Sequence, residues 1–203
     1  MGMISLMNFN DQQLEGINLA IDEAQLLDLE IDLLLKSART TLQVFCISEN
    51  GQVPIDRKVA VHLKSISRIS ASLRHYDKND KYLKTEKFDI NDFEKIVKSF
   101  GGASVYGSNF IRPGNESLPS WAENVSLELS LGDDEGDYMI DLFQWDNSRK
   151  LDFRIWFNEL KITKASNEQE ISINEFIAGG KRWWEAFNKN DPRTQGFGMF
   201  PLK

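Results

Sequence analysis

Alternation of apolar and polar residues is the feature of this sequence that most constrains its fold. In residues 27–33 every odd position is apolar and every even position is acidic. The same period of two recurs in residues 41–48, 59–63 and 125–131. This period places successive side chains on opposite faces of a strand, so these runs are typical of strands with one buried face. The chain is therefore predicted to be rich in antiparallel β-structure.

Residues 57–74 contain two alternating runs that are separated by a serine-rich interruption. We interpret this interruption as a bulge or bend between two strand segments. Residues 138–145 form a further run that is apolar on both faces, and residues 151–157 alternate again after a polar turn.

Two helices are predicted from their N-terminal signals. Asp89 is followed three residues later by Asp92, and Ser172 is followed in the same way by Glu175. A capping side chain with a carboxylate three residues further on is typical of a helix start. Apolar residues then follow at helical spacing in both segments.

A glycine pair lies at residues 101–102, after the first predicted helix, and another lies at residues 179–180, inside the second. The first pair is typical of a helix end. A glycine inside a helix costs roughly 1 kcal/mol relative to alanine. We therefore expect the second pair to mark close packing or a local break.

Three pairs of segments match in the same order along the chain: residues 29–33 with 127–131, 57–58 with 149–150, and 90–93 with 173–176. This order favours an internal duplication, although amphipathic strands and capped helices of any origin share such patterns. We predict an α+β fold with two related units of about four strands and one helix each. The units cover residues 1–103 and 104–203, as two domains or as one continuous domain.

Charge and composition narrow the classes of function. The formal net charge of −7 disfavours nucleic acid as a partner, because its phosphates are also negative. The same charge favours a basic protein partner. Cys46 is the single cysteine, so no intrachain disulfide is expected. We find no secretory signal and no apolar run of about 20 residues, which predicts a cytoplasmic protein without a membrane span. His62 and His75 show no zinc-ligand spacing, so neither a metal site nor a cofactor is predicted.

The most enzyme-like pattern is Asp141 followed by Glu159 and Lys161. An aspartate on one strand and Glu-x-Lys on the next is similar to the core of restriction-type nucleases. That resemblance implies carboxylates that hold a divalent ion and a lysine that helps to activate water. The motif is short, and the acidic second half argues against DNA as a substrate.

Two other groups are candidate binding residues. Four acidic residues crowd one predicted turn: Asp133, Asp134, Glu135 and Asp137. They form either a solvated hairpin tip or an acidic contact for a basic partner, and their spacing is not that of a calcium-binding EF-hand. Trp156 and Trp183, with basic residues nearby, form either core or a stacking platform for a sugar or base.

These observations favour a non-catalytic accessory protein that binds another protein, and an immunity-like protein is one concrete form. Acidic single-chain binders of this type suit basic targets. A metal-dependent nuclease and a carbohydrate-binding module are the alternatives from other classes.

Overall fold

A computed structural model describes residues 8–105, 109–113, 124–132 and 136–196 of the chain. Within these ranges the fold is α+β with mostly antiparallel strands, as predicted. The helices are α1 (Asp11–Ile21), α2 (Ile90–Ser99) and α3 (Ile173–Asn188), and a 3₁₀ helix follows at Pro192–Thr194. The strands are β1 (Gln25–Asp32), β2 (Ser37–Gln43), β3 (Lys58–Lys64), β4 (Arg68–Tyr76), β5 (Tyr82–Glu86), β6 (Asn109–Ile111), β7 (Leu127–Ser130), β8 (Tyr138–Trp145), β9 (Arg149–Phe157), β10 (Glu159–Lys164) and β11 (Glu170–Ile171).

The strands form two antiparallel sheets. The first sheet has the order β1-β2-β3-β10-β11, and the second has the order β5-β4-β9-β8-β6. Strand β7 lies outside this order and pairs with β4. Each sheet therefore takes strands from both halves of the chain.

Between the described strands, the chain passes from one sheet to the other at two places. Strand β3 ends in the first sheet, and β4 begins in the second after a link that includes Ser65, whose φ is +53°. Strand β9 ends in the second sheet, and β10 begins in the first after Asn158. The serine-rich interruption predicted as a bulge or bend is thus the link between two sheets.

One apolar core connects the two sheets. Alternate side chains of the strands point into it, including Leu42 and Val61 from the first sheet and Phe153 and Ile155 from the second. Strand β1 departs from simple alternation, because its register shifts between Leu26 and Asp28. Both Leu26 and Leu29 are buried as a result.

The helices begin where their capping residues predict. The Asp89 carboxylate accepts a hydrogen bond from the Asn91 backbone, and the Ser172 hydroxyl accepts one from the Glu175 backbone. Helix α1, which covers a segment with an ambiguous pattern, is capped by a reciprocal pair of bonds between Asn10 and Gln13. No helix in the described ranges is long and apolar enough to cross a membrane.

Helix α3 packs closely against α1. A Cβ on Gly180 would lie 2.6 Å from the Ala20 Cα, and a Cβ on Gly16 would lie 2.6 Å from Ile177 Cγ2. Close packing, rather than a helix break, therefore explains the glycine at position 180. Helix α2 packs on β1 instead, through side chains such as Phe93 and Val97 that are fully buried.

Candidate functional site

The three residues of the nuclease-like pattern lie in different sheets. Asp141 is in β8 of the second sheet, whereas Glu159 and Lys161 are in β10 of the first. Asp141 pairs with Arg154 at 2.9 Å, and Lys161 pairs with Glu170 at 3.1 Å. Asp141 and Lys161 therefore lie in different sheets and pair with different partners. In the part of the chain that the structure describes, no cluster of three His, Cys, Asp or Glu residues could hold a metal.

Asp141 belongs instead to a set of largely buried ion pairs on the second sheet, which we call the charge ladder. It consists of Asp141 with Arg154 and of Arg74 with Asp152, and it joins β8, β9 and β4. Burial raises the pKa of Asp141 above its ordinary value, against the opposing effect of the Arg154 guanidinium. Burial also raises the pKa of Asp152 to about 6, although Arg74 acts in the other direction. The ladder holds three strands together at the cost of desolvating its carboxylates.

The corresponding face of the first sheet carries a more exposed polar network. Arg39 bridges Glu30 and Glu168 at 3.2 Å each. His62 Nε2 lies 3.1 Å from a Glu168 oxygen and 3.0 Å from the Thr163 hydroxyl. Desolvation lowers the pKa of His62, and the hydrogen bond from Thr163 lowers the pKa of Glu168. Such partly hydrated pairs contribute little to stability.

The two tryptophans that were candidates for stacking are buried. Trp156 is 4% exposed and lies under the Arg68 guanidinium, which is 4.5 Å from the ring centroid. Trp183 is 0% exposed and packs against Phe45. Neither ring therefore offers a face to a sugar or base. Trp183 belongs to a second apolar cluster with Phe45. Trp156 is outside the apolar core, because strand alternation puts it on the side of β9 opposite Phe153 and Ile155, where Arg68 covers it.

Among the tryptophans that the structure describes, Trp145 is the exposed one, with 51% of its area accessible. Its ring centroid lies 5.6 Å from Lys150 Nζ, which also lies 4.2 Å from the centroid of Tyr76. Lys150 pairs in addition with Asp80 at 3.0 Å. The sequence pattern did not predict that Trp145 is exposed, because this residue belongs to a run that is apolar on both faces.

Three of the predicted acidic contact residues lie outside the described residues: Asp133, Asp134 and Glu135. The fourth, Asp137, is described, and its backbone N–H donates to the Asn158 side chain at 2.7 Å. A Cβ built on Gly132 would lie 3.7 Å from Lys36 Nζ, so the approach to this turn lies beside the connection between β1 and β2.

That connection exposes three consecutive leucines, which we call the leucine tip: Leu33, Leu34 and Leu35. Their exposed fractions are 37%, 96% and 74%. The Asp32 carboxylate accepts a hydrogen bond from the Leu35 backbone at 2.9 Å, and Lys36 closes the turn with a φ of +47°. The geometry of a tight turn favours Gly, Asn, Asp or Ser at such positions, so the turn itself does not explain the leucines.

The leucine tip concentrates apolar surface at one place. Single exposed apolar residues are normal on proteins, whereas contiguous apolar patches mark interaction sites. The sequence suggested instead that Leu33 continues the buried face of β1, but the strand ends at Asp32.

Comparison of the chain with models of protein families, with curated proteins and with solved structures finds no match. The functional proposals therefore depend on the geometry of the described residues.

Proposed function

We propose that this chain is a non-catalytic protein that binds another protein through the leucine tip. The observation that carries the proposal is the exposure of Leu34 and Leu35 in a well-formed hairpin connection. Full burial of a leucine side chain stabilises a complex by about 1.5–3 kcal/mol. Two such residues on a projecting turn can serve as the central anchors of an interface.

Charge favours a partner with a basic rim around an apolar pocket. The chain carries a net charge of −7, and the acidic residues at 133–137 follow Gly132 in the sequence. A Cβ on Gly132 would lie 3.7 Å from the side-chain nitrogen of Lys36, the residue after the leucine tip. Complementary charge speeds association and selects among partners more than it adds affinity. An immunity-like protein that covers a basic target, acting in the cytoplasm, is the form that we propose.

The two alternatives have less support in the described residues. The nuclease alternative needs Asp141 and Glu159 at one site, and each lies in a different sheet. The carbohydrate alternative needs the exposed faces of Trp156 or Trp183, and both rings are buried.

We also propose that the two halves of the chain arose by duplication, with the boundary near residue 103. Three features support this proposal. Strands β1, β2 and β3 are consecutive in the first sheet, as β6, β8 and β9 are in the second. Each half then adds two strands to the other sheet, β4 with β5 and β10 with β11, and ends in a capped helix. The matched segments 57–58 and 149–150 lead into β3 and β9, which have equivalent places in the two sheets. The match between residues 29–33 and 127–131 does not follow this order, because β1 is at the edge of the first sheet and β7 pairs with β4.

Retention of partners on immobilised protein tests the binding proposal. We expect one basic protein from source-cell lysate to be retained in stoichiometric amount by the wild type, and at least about tenfold less by Leu34→Ser/Leu35→Ser, because the apolar anchors are lost. Binding of the purified partner, measured by calorimetry, should show the same loss.

The matched control is Ile55→Ser/Leu83→Ser, which removes two exposed apolar side chains elsewhere on the surface. It should retain the partner as the wild type does, and thermal unfolding should confirm that both variants fold. Equal retention of the same proteins by all three forms would overturn the proposal.

A further inference from the structure

A cavity of about 380 Å³ lies between α3 and the chain that connects β2 with β3. Its volume falls within the range of small-molecule sites, about 300–1,000 Å³. It is at the opposite end of β2 from the leucine tip, since β2 begins at Ser37 next to the tip and ends at Gln43 next to the cavity. A ligand here is therefore independent of the binding surface proposed above.

The cavity has an apolar wall. Val44 and Val59 contribute from the β2 and β3 ends. Ile171 contributes from β11, and Phe176 from the first turn of α3. Val44, Val59 and Phe176 are nearly inaccessible to solvent and form the backing of this wall, whereas Cys46, Pro54 and Ile171 are half-buried and present apolar surface to the cavity. This wall suits a hydrocarbon chain or ring, because burial of apolar surface is favourable by about 25 cal/mol per Å².

Three basic side chains also line the cavity. Lys58 begins β3 and Arg57 directly precedes it, and Lys164 ends β10. The acidic residues of the lining are Asp56 and Glu175, and Glu175 is paired with Arg182 on the same helix at 2.6 Å. In a chain with a net charge of −7, this local excess of positive charge favours an anion.

Gly179 forms part of the cavity wall, and packing does not require a glycine there. A Cβ at this position would lie 3.5 Å from the Cys46 Cβ and 3.6 Å from the Ile47 carbonyl oxygen, which are ordinary contacts. At the next residue, Gly180, a Cβ would lie 2.6 Å from the Ala20 backbone. Because a helical glycine costs roughly 1 kcal/mol, the absence of a side chain at position 179 is best explained by the space that it leaves open.

We propose that this cavity binds a small organic anion with an apolar body, such as an aliphatic carboxylate. Its carboxylate lies near the Lys58, Lys164 and Arg57 side chains, where charge-assisted hydrogen bonds form. Its apolar body lies along Cys46, Pro54 and Ile171, in the space beside Gly179.

Cys46 provides a reporter inside the site. It is the single cysteine of the chain, it is half-buried, and it lines the cavity. A ligand that fills the cavity covers the thiol, so bound ligand should slow its alkylation by N-ethylmaleimide.

Octanoate is the probe for the test, and 1-octanol and inorganic phosphate are its controls. We expect octanoate to slow alkylation of Cys46 in a saturable manner, with the same Kd in calorimetry. 1-Octanol lacks the charge and phosphate lacks the apolar body, so both should protect at least about tenfold less effectively at equal concentration. Absence of protection by octanoate, or equal protection by either control, would overturn the proposal.

Charge variants locate the anion. Lys58→Gln/Lys164→Gln should weaken octanoate binding by about tenfold, which corresponds to about 1.4 kcal/mol. The matched control, Lys64→Gln/Lys161→Gln, removes two lysines from the same strands, β3 and β10, but away from the cavity. It should bind octanoate like the wild type, and an equal loss in both variants would contradict the assigned site.

Gly179→Leu tests the apolar part of the site. Leucine has a higher helix propensity than glycine, so the variant should retain its thermal stability while its side chain occupies the cavity. Octanoate should then no longer protect Cys46 or release heat in calorimetry. Undiminished octanoate binding in a folded Gly179→Leu variant would overturn the placement of the ligand.

Discussion

The two halves of the chain contribute strands to the sheets in the same order, but they connect these strands differently. In the first half, residues 44–57 join β2 to β3 and form one wall of the cavity against α3. In the second half, residues 146–148 join β8 to β9 in a tight turn, in which the Asp146 carboxylate accepts from the Ser148 and Arg149 backbones. In both halves the strands determine the sheets, whereas the connections between strands determine where a site can form.

The central strands of the two sheets differ in how far their charged side chains are exposed to solvent. Arg39 faces His62 across β2 and β3, and Asp141 faces Arg154 across the equivalent pair β8 and β9. The Arg39 side chain is 25% exposed and its partners are hydrated, whereas the Arg154 side chain is 3% exposed. The same cross-strand geometry therefore supports a weak surface network in one sheet and a strongly coupled pair in the other.

The largest expected effect follows from breaking the pair in the second sheet. Asp141→Ala removes the carboxylate that pairs with the buried Arg154 guanidinium, so we expect a loss of about 3–5 kcal/mol in the free energy of unfolding. Urea denaturation monitored by tryptophan fluorescence measures this loss.

Arg39→Ala, at the matched position in the first sheet, should cost less than about 1 kcal/mol, because its ion pairs are exposed to water. Equal losses of unfolding free energy in the two variants would show that burial does not set the strength of these ion pairs.

The two halves also differ in the side chain at the matched position of their capped helices, α2 and α3. Position 180 in α3 corresponds to Val97 in α2, since each lies seven residues after the first helical residue. Gly180→Val would drive a side chain into the Ala20 backbone, and overpacking of this kind costs about 3 kcal/mol. Denaturant unfolding should show this loss.

Gly179→Ala is the neighbouring control, and it should leave stability unchanged or raise it by up to about 1 kcal/mol. A comparable loss in both variants would mean that α1 and α3 do not meet through position 180.

The smallest effect concerns pH. Asp152 is neutral in the folded state up to its pKa of about 6, whereas in the unfolded state it ionises near 3.8. Raising the pH between these values therefore favours the unfolded state. Relative to Asp152→Asn, the wild type should lose about 2 kcal/mol of unfolding free energy between pH 4 and pH 7. Thermal or urea unfolding at both pH values gives the difference.

Asp146 is the control, because its pKa is lowered by hydrogen bonds from the Ser148 backbone and from Arg149 that outweigh its desolvation. Its titration lies below pH 4 in both states, so the difference between wild type and Asp146→Asn should be nearly constant from pH 5 to pH 7. A constant difference for Asp152 as well would show that Arg74 holds its carboxyl ionised.

Local patterns predicted some of the elements, although the alternating run at residues 41–48 leaves β2 after Gln43. The alternating runs at residues 59–63 and 151–157 lie in strands, and Asp89 and Ser172 cap helices. These signals depend on neighbouring residues alone. The distribution of the strands over two sheets was not predicted, because pairing such as β3 with β10 joins residues about 100 positions apart and leaves no local pattern.

The sites were harder to predict than the elements. Trp183 was a stacking candidate because of the basic residues beside it, but the helix turns it into a second apolar cluster with Phe45. Leu33, the first residue of the leucine tip, was assigned to a strand because it extends the alternation of β1 by one residue. The cavity combines two distant segments, so neither segment alone indicates it.

The exchange of strands between the sheets has a consequence for synthesis on the ribosome. When β3 and β4 have emerged, their partners β10 and β9 are still to be translated, and both strands wait with unpaired edges. Such edges are templates for aggregation. The nascent chain is therefore most vulnerable during translation of residues 77–148, and chaperones that shield edges would act in that interval.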